Sequence, residues 1–472
     1  MQLQLYKGCA AYGDYTNYLS FGWQDVRKAL QPGDIAVEFV AIQGINVEKK
    51  ECAMLAIITA KDLPRPLTIP VWDDDRLHAC GESADYRALH DSVFMEMTNS
   101  SHHPYDEVKR GLHKRMYEVA HSSSQYKTEL SLFLNHIEAK FLADSTYKPY
   151  MEVIGLMTYQ KLLGECVWLY ETEAAGDLVW GKLSPYLRGR KRVFFSADGC
   201  LNSLAVEYLP YEGKPFSEQF ETYRLSSTKE LCMRRPKVKY NKAALFGDID
   251  YNSDATSTEE SQQALASLRG SGGNEGFANL GNTRREVNDV QKILREAKVK
   301  DVAKWMDTEA SAETFMGLSD SKVNLVHIAT HGMFKDNTGS TEDESMTNSL
   351  LAFAGANLGD EGIVTAADVA KMNLRSCDLA VLSACETGLG KLGDDGVFGL
   401  QRGFKNAGVH TLLMSLKSVH DQTTADMMVS FYRHLMQGDS KREALVKAQQ
   451  ELRQRGFTDS DYWATFILLD AL

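Results

Sequence analysis

The stretch LAVLSACETGLGKLGDDG, residues 379–396, holds three groups that can do chemistry. Cys385 closes an apolar run, a place that suits a nucleophilic thiol. Ser383 offers a hydroxyl two residues earlier. Gly388-Leu389-Gly390-Lys391-Leu392-Gly393 fits the dinucleotide pattern G-x-G-x-x-G. The plainest reading is a buried strand followed by a flexible turn. A second apolar run, VNLVHIATHG, carries His327 and His331 four residues apart, which on a helix is the spacing of two metal ligands.

Most of these readings fail on their context. A dinucleotide site follows the first strand of its sheet and needs an acid ~20 residues on, at the end of the next strand. Here the pattern comes late, and the next strand ends in Ser415-Leu416-Lys417. The histidine run is apolar and β-branched, hence a strand. At ~3.3 Å per residue the two imidazoles stand ~13 Å apart and cannot share a metal ion. His327 reads instead as a histidine packed in or beside the core, and no metal or cofactor is called for. No G-x-S-x-G word surrounds any serine, and Ser383 lies further back in its strand than the thiol.

Cys385 with His331 remains. Both stand at the ends of apolar strands, and in open α/β sheets sites form beyond the carboxyl ends of strands. If the two strands are parallel neighbours, their side chains emerge together and the imidazole can orient or deprotonate the thiol. Gly332 lets the backbone approach a substrate closely. Its N–H, with that of Cys385, suits the oxyanion of a tetrahedral intermediate. Taken alone, such a pair is more often two ordinary residues at strand ends, so the surrounding elements decide.

Those elements alternate. AALFGDIDY, DVAKWM, NLVHIAT, DLAVLSAC, VHTLLMSL and YWATFILL read as strands. Between them SAETFMGL, GVFGLQRGFKNAG closed by Gly408, TTADMMVSFYRHLM and KREALVKAQQELRQ read as helices. Thr283-Arg284-Arg285-Glu286 reads as a capping box ahead of Val287, Val290 and Leu294. Residues 333–348 read as a polar, acidic loop, and RGSGGNEG as a second loop. The expectation is an α/β fold with a mostly parallel sheet covered by helices. In the first half, DIAVEFVAI and CAMLAIITA read as neighbouring strands and RVFFSADG as a strand and turn. Val108, Leu112, Met116 and Val119 suggest a helix that resumes at Leu130, Phe133, Leu134, Ile137 and Phe141. The basic stretch CMRRPKVKYNK divides the halves, and neither half contains a 34-residue helical repeat.

At 472 residues the chain has room for two or three domains. Its net charge of −12 argues against a nucleic-acid partner. No leader-like apolar run opens the chain and no run approaches the ~18 residues needed to span a bilayer, so a cytoplasmic protein without a membrane partner is expected. The eight cysteines are scattered, without a C-x-x-C, as in a reduced compartment.

VHIATHG, LAVLSACETGLG, GVFGLQRGFKNAG, LLMSL and YWATFILL together closely resemble the CHAT family, caspase-like proteins often linked to tetratricopeptide repeats. GWQDVRKALQPGDIAVEFV and VFFSADGCLNSLAVEYLP resemble the N-terminal portion of that family. The resemblance implies two tandem caspase-like lobes: residues 1–235 without a dyad, a pseudo-protease, and residues 236–472 catalytic. It implies a cysteine endopeptidase of the caspase and separase group, with His331 and Cys385 as its dyad. The spacing of the two is close to the ~50 residues of caspases. The alternative is a non-catalytic scaffold with the same surface. Asp394 and Asp395 fall where the family carries acids that would select a basic residue before the cut. The plainer reading, preferred for one of them, is that Asp394 or Asp395 caps the helix at GVFGLQRGF. Where the family often reads Ser-Leu-Trp, this chain reads Ser415-Leu416-Lys417. The expected partners are a protein substrate and an activating protein or tetratricopeptide-repeat module, with residues 333–348 as the gated loop.

Overall fold

The computed structural model describes residues 18–43, 52–72, 170, 173–233, 235, 238–253, 276–334, 346–384, 390–393, 396–416, 421–458 and 460–472. The expected helices between Val108 and Phe141 lie outside them, as do Cys385, Asp394, Asp395, Lys417 and residues 335–345. In chain order, the first half gives α1 (Trp23–Ala29), β1 (Asp34–Gln43), β2 (Cys52–Ala60), β3 (Leu67–Trp72), α2 (Glu173–Trp180), β4 (Arg192–Ser196) and β5 (Glu221–Leu225). The second half continues with β6 (Lys242–Ile249), α3 (Thr283–Glu296), β7 (Asp301–Asp307), α4 (Ala312–Met316) and β8 (Leu325–Ala329). Then come β9 (Gly332–Phe334), β10 (Ser349–Ala352), β11 (Ile363–Thr365), α5 (Ala366–Val369) and β12 (Leu379–Ser383). The chain closes with β13 (Gly390–Gly393), β14 (Gly396–Gly399), α6 (Leu400–Asn406), β15 (Thr411–Ser415), α7 (Asp421–Gln437), α8 (Lys441–Gln454), α9 (Ser460–Trp463) and β16 (Phe466–Leu469).

Eleven strands form one sheet in the order β3-β2-β1-β4-β5-β16-β15-β12-β8-β6-β7. Within it β2 is antiparallel to β1 and β3, and β16 to β15; the remaining pairs are parallel. This is the expected α/β class with a mostly parallel sheet. Its central strands read as continuous apolar runs because both faces are covered. On β8 the alternation is direct: Leu325 packs with Val290, Leu294, Phe431 and Tyr432 on the α3 and α7 side. Val326 and Ile328 pack with Phe246, Phe315, Phe353 and Phe404 on the other. β1 and β2 pair as neighbours from Ile35↔Ala60 to Gln43↔Cys52.

Several local expectations are corrected. The cap of α3 is Asn282, not Thr283. Thr283 is already helical, and its hydroxyl donates to the Leu280 carbonyl (2.7 Å) while accepting the Asp248 N–H (2.9 Å). Glu286, freed from capping, turns inward and is buried. The helix at GVFGLQRGF starts only at Leu400, with Gly399 at its cap, because Gly396–Gly399 is a strand paired with Gly390–Gly393. An acid at 394 or 395 therefore does not immediately precede the helix it was expected to cap. Met333 and Phe334 are not loop but strand, paired with Leu350 and Ser349. Tyr462 and Trp463 belong to α9, so only the end of YWATFILL is strand. Among the described residues no helix is long and apolar enough to cross a membrane.

Candidate active site

β8 and β12 are parallel neighbours, with Leu325 opposite Leu379 and Ala329 opposite Ser383. Both chains therefore reach the same carboxyl edge of the sheet at the same level. The Thr330 N–H continues the pairing by donating to the Ser383 carbonyl (3.3 Å). Beside it, the Ser415 hydroxyl at the end of β15 donates to the carbonyl of Ala384 (2.5 Å). On the other flank the chain leaving β6 carries Tyr251, whose hydroxyl bonds that of Thr330 (3.0 Å); the Thr330 hydroxyl also reaches the Ala352 carbonyl. Thr330 is almost wholly buried, so this polar knot is sealed from water.

His331 emerges from that knot, half-buried. Its backbone carbonyl accepts the Ala352 N–H (3.0 Å), which ties it to the small sheet β9-β10-β11. Its ring packs against Tyr251 and Phe277, with centroids 5.2 and 5.4 Å away, and those two rings also pack on each other at 5.9 Å. Nε2 stands 2.7 Å from the Ala278 carbonyl. A carbonyl only accepts, so Nε2 carries the proton, and in the neutral ring the lone pair sits on Nδ1.

Gly332 faces Leu351 across β10. The bond from Ala352 to the His331 carbonyl makes this a non-hydrogen-bonded pair. The Gly332 N–H therefore points away from β10 and is not used in that ladder. The other predicted site residues, Cys385, Asp394 and Asp395, lie outside the described residues. Ser383 is buried at 4% exposure, which leaves its hydroxyl no access to a substrate.

His327 is the packed histidine that its strand position predicts. It is fully buried on the α3 and α7 side, with Nε2 3.0 Å from Glu286 Oε1 and Nδ1 3.2 Å from the Tyr432 hydroxyl. Among the described residues no group of three or more His, Cys, Asp or Glu side chains is placed to hold a metal ion. Cys377 is also buried, and desolvation pushes its thiol up to about 12, so it stays protonated and inert.

Tyr251, Phe277 and the Ala278 carbonyl were not legible as site residues. Tyr251 looks like the last apolar residue of a strand. A carbonyl contributes no side-chain identity to a sequence pattern.

The sequence matches the CHAT domain family over residues 171–471. Among curated proteins no sequence match is found. Among solved structures, the chain is similar to the Arg-specific cysteine proteinase gingipain R, with 10% identity and a TM-score of 0.38, covering 63% of this chain and 67% of that one. It is also similar to separase in the Saccharomyces cerevisiae separase–securin complex, with 11% identity and a TM-score of 0.46. That alignment covers 95% of this chain and 30% of the separase chain.

Proposed function

Because the chain belongs to the CHAT domain family, we propose that it is a cysteine endopeptidase with Cys385 as nucleophile and His331 as base and acid. The observation that carries this reading is the state of His331. It stands at the carboxyl edge of the sheet with Nε2 2.7 Å from the Ala278 carbonyl, which places the proton of the neutral ring on Nε2 and makes Nδ1 the basic nitrogen. Strand register supports the partner. Ala329 faces Ser383, and His331 and Cys385 each follow by two residues in the sequence.

In this reading His331 Nδ1 takes the thiol proton, and the Cys385 thiolate adds to the carbonyl carbon of the scissile peptide. The carbonyl electron pair moves to oxygen, where the Gly332 and Cys385 N–H groups hold it. Collapse breaks the C–N bond, the amine leaves with the proton from Nδ1, and a thioester remains on Cys385. Water then gives a proton to Nδ1 and adds to the thioester, expelling the thiolate and releasing the new carboxyl terminus. Asp394 or Asp395 supplies a carboxylate that favours Arg or Lys before the cut. Residues 236–472 are the catalytic lobe and 1–235 a companion lobe without a dyad. A protein partner, such as a tetratricopeptide-repeat module, raises activity by binding the active form of the chain better.

The test is to incubate the full chain with a soluble proteome and map new N termini, alongside its Cys385→Ala and His331→Ala variants. The expected result is a set of cuts after Arg or Lys, lost in both variants because such groups act as a unit. Cuts retained at the wild-type rate by Cys385→Ala would refute the reading. Cuts after apolar or acidic residues would remove the role of Asp394 and Asp395.

A further inference from the structure

The Ala278 carbonyl sits in residues 276–280, which form neither helix nor strand. No ladder therefore sets its position, yet it decides which nitrogen of His331 is protonated. The side chain of Asn357 does the work of a missing strand. Its Oδ1 accepts the Phe277 N–H (2.7 Å), and its Nδ2 donates to the Phe277 carbonyl (3.0 Å). The second Nδ2 hydrogen goes to Asn252 Oδ1 (2.9 Å). This pattern also fixes the amide's orientation, since a flip would set donors against an N–H and an acceptor against two oxygens.

Asn357 is itself anchored. Its N–H donates to the Tyr251 carbonyl (2.8 Å), and the turn carrying it is closed by Ala356 N to the Phe353 carbonyl (3.0 Å) and Leu358 N to the Gly355 carbonyl (2.8 Å). Tyr251 and Phe277, the two rings that pack against His331, are thus tied to one residue. Gly276 is shaped to the same contact: a Cβ there would stand 2.5 Å from Asn357 Oδ1.

We propose that Asn357 is a positioning residue for His331, fixing the Phe277-Ala278 backbone so that the Ala278 carbonyl holds Nε2–H and turns Nδ1 to the thiol. It touches neither the thiol nor the reacting peptide. The proposal rests on the peptidase reading above and deepens it.

The test needs no known substrate. Alkylation of Cys385 by iodoacetamide is followed by peptide mass spectrometry on the full chain between pH 5 and 9. Cys377 in the same digest serves as the buried reference, and circular dichroism checks folding. The wild-type inflection is expected below the ~8.5 of an ordinary thiol and is expected to depend on His331. Asn357→Leu is expected to move it up by about one unit, or about tenfold less thiolate at neutral pH. Gly276→Ala, whose Cβ presses on the same amide, is expected to move it in the same direction. A folded Asn357→Leu with the wild-type pH profile overturns the proposal while the dyad stands. If that variant does not fold, Gly276→Ala decides on the same criterion. A wild-type profile like that of an ordinary thiol and indifferent to His331→Ala overturns the dyad, and this proposal with it.

Discussion

Replacing Glu207 by Leu is expected to destabilise the protein by about 3–5 kcal/mol, because it strands a guanidinium in the seam of the sheet. Arg224 lies on β5 and pairs in register with Leu469 of β16, the point where the strands of the two halves meet. Its Nε and Nη2 grip Glu207 at 3.1 and 2.7 Å, a two-pronged contact with side chains only 3% and 6% exposed. Nη2 also donates to the Leu204 carbonyl, and the guanidinium stands 5.2 Å from the Phe195 ring centre. Removing one charge leaves the other desolvated without compensation, so Arg224→Met is expected to lose a similar amount. Removing both leaves only the Leu204 carbonyl without its donor, a cost of about 1–3 kcal/mol. The double variant is therefore expected to be more stable than either single one. Urea titrations by far-ultraviolet circular dichroism measure all four proteins. Single losses below about 1 kcal/mol, or losses that simply add, would refute the reasoning. The seam also bears on the site: β16 pairs Phe466 with Ser415, whose hydroxyl holds the Ala384 carbonyl one residue before Cys385. Glu207→Leu should therefore slow the alkylation of Cys385 as well.

At the opposite edge of the same strands, burial would by itself raise the Asp378 carboxyl. His410, Lys441 and Tyr240 outweigh it and hold it down at about 2. With the folded value below the ordinary ~3.9, this contribution to stability is complete above about pH 4 and is lost as pH falls through about 2. Asp378→Asn should flatten that acid limb in a series of denaturation curves from pH 5 to 2. Cys377→Ala should leave the cleavage pattern unchanged and remove no alkylation near neutral pH, since that thiol is protonated and buried; product mapping and peptide mass spectrometry check this. Gly408→Ala should cost about 1–2 kcal/mol in thermal unfolding. Its φ is +96°, and an added Cβ would stand 2.6 Å from Arg375 Cγ.

The sheet was readable because buried parallel strands carry an unbroken apolar signal, and its alternation with helices fixes the class. What misled was local. Thr283 has the spacing of a cap, but the end of β6 offered its hydroxyl a better use at the Asp248 N–H. GVFG looked helical because glycine and phenylalanine carry no strong period, and its pairing with Gly390–Gly393 is visible only in three dimensions. Met333 and Phe334 sat in a polar context, yet Leu350 and Ser349 drew them into a ladder.

The same division runs through the site. His331 and Gly332 were legible as candidates because a strand end is a positional signal, and parallel register turns equal spacing along two strands into proximity across them. The groups that set the state of His331 have no such signal. Ala278 acts through its carbonyl, which every residue possesses. Asn357 acts across 80 residues of sequence onto Phe277, from one irregular segment to another. His327 illustrates the converse, since it lies within β8 on the face toward the helices, where Glu286 and Tyr432 enclose it, whereas His331 lies two residues past the end of that strand. Two histidines four residues apart, which a continuous strand would place on one face, are thus divided by the end of the strand. One is locked into the core, and the other stands half-buried at the carboxyl edge of the sheet with its Nε2 on the Ala278 carbonyl.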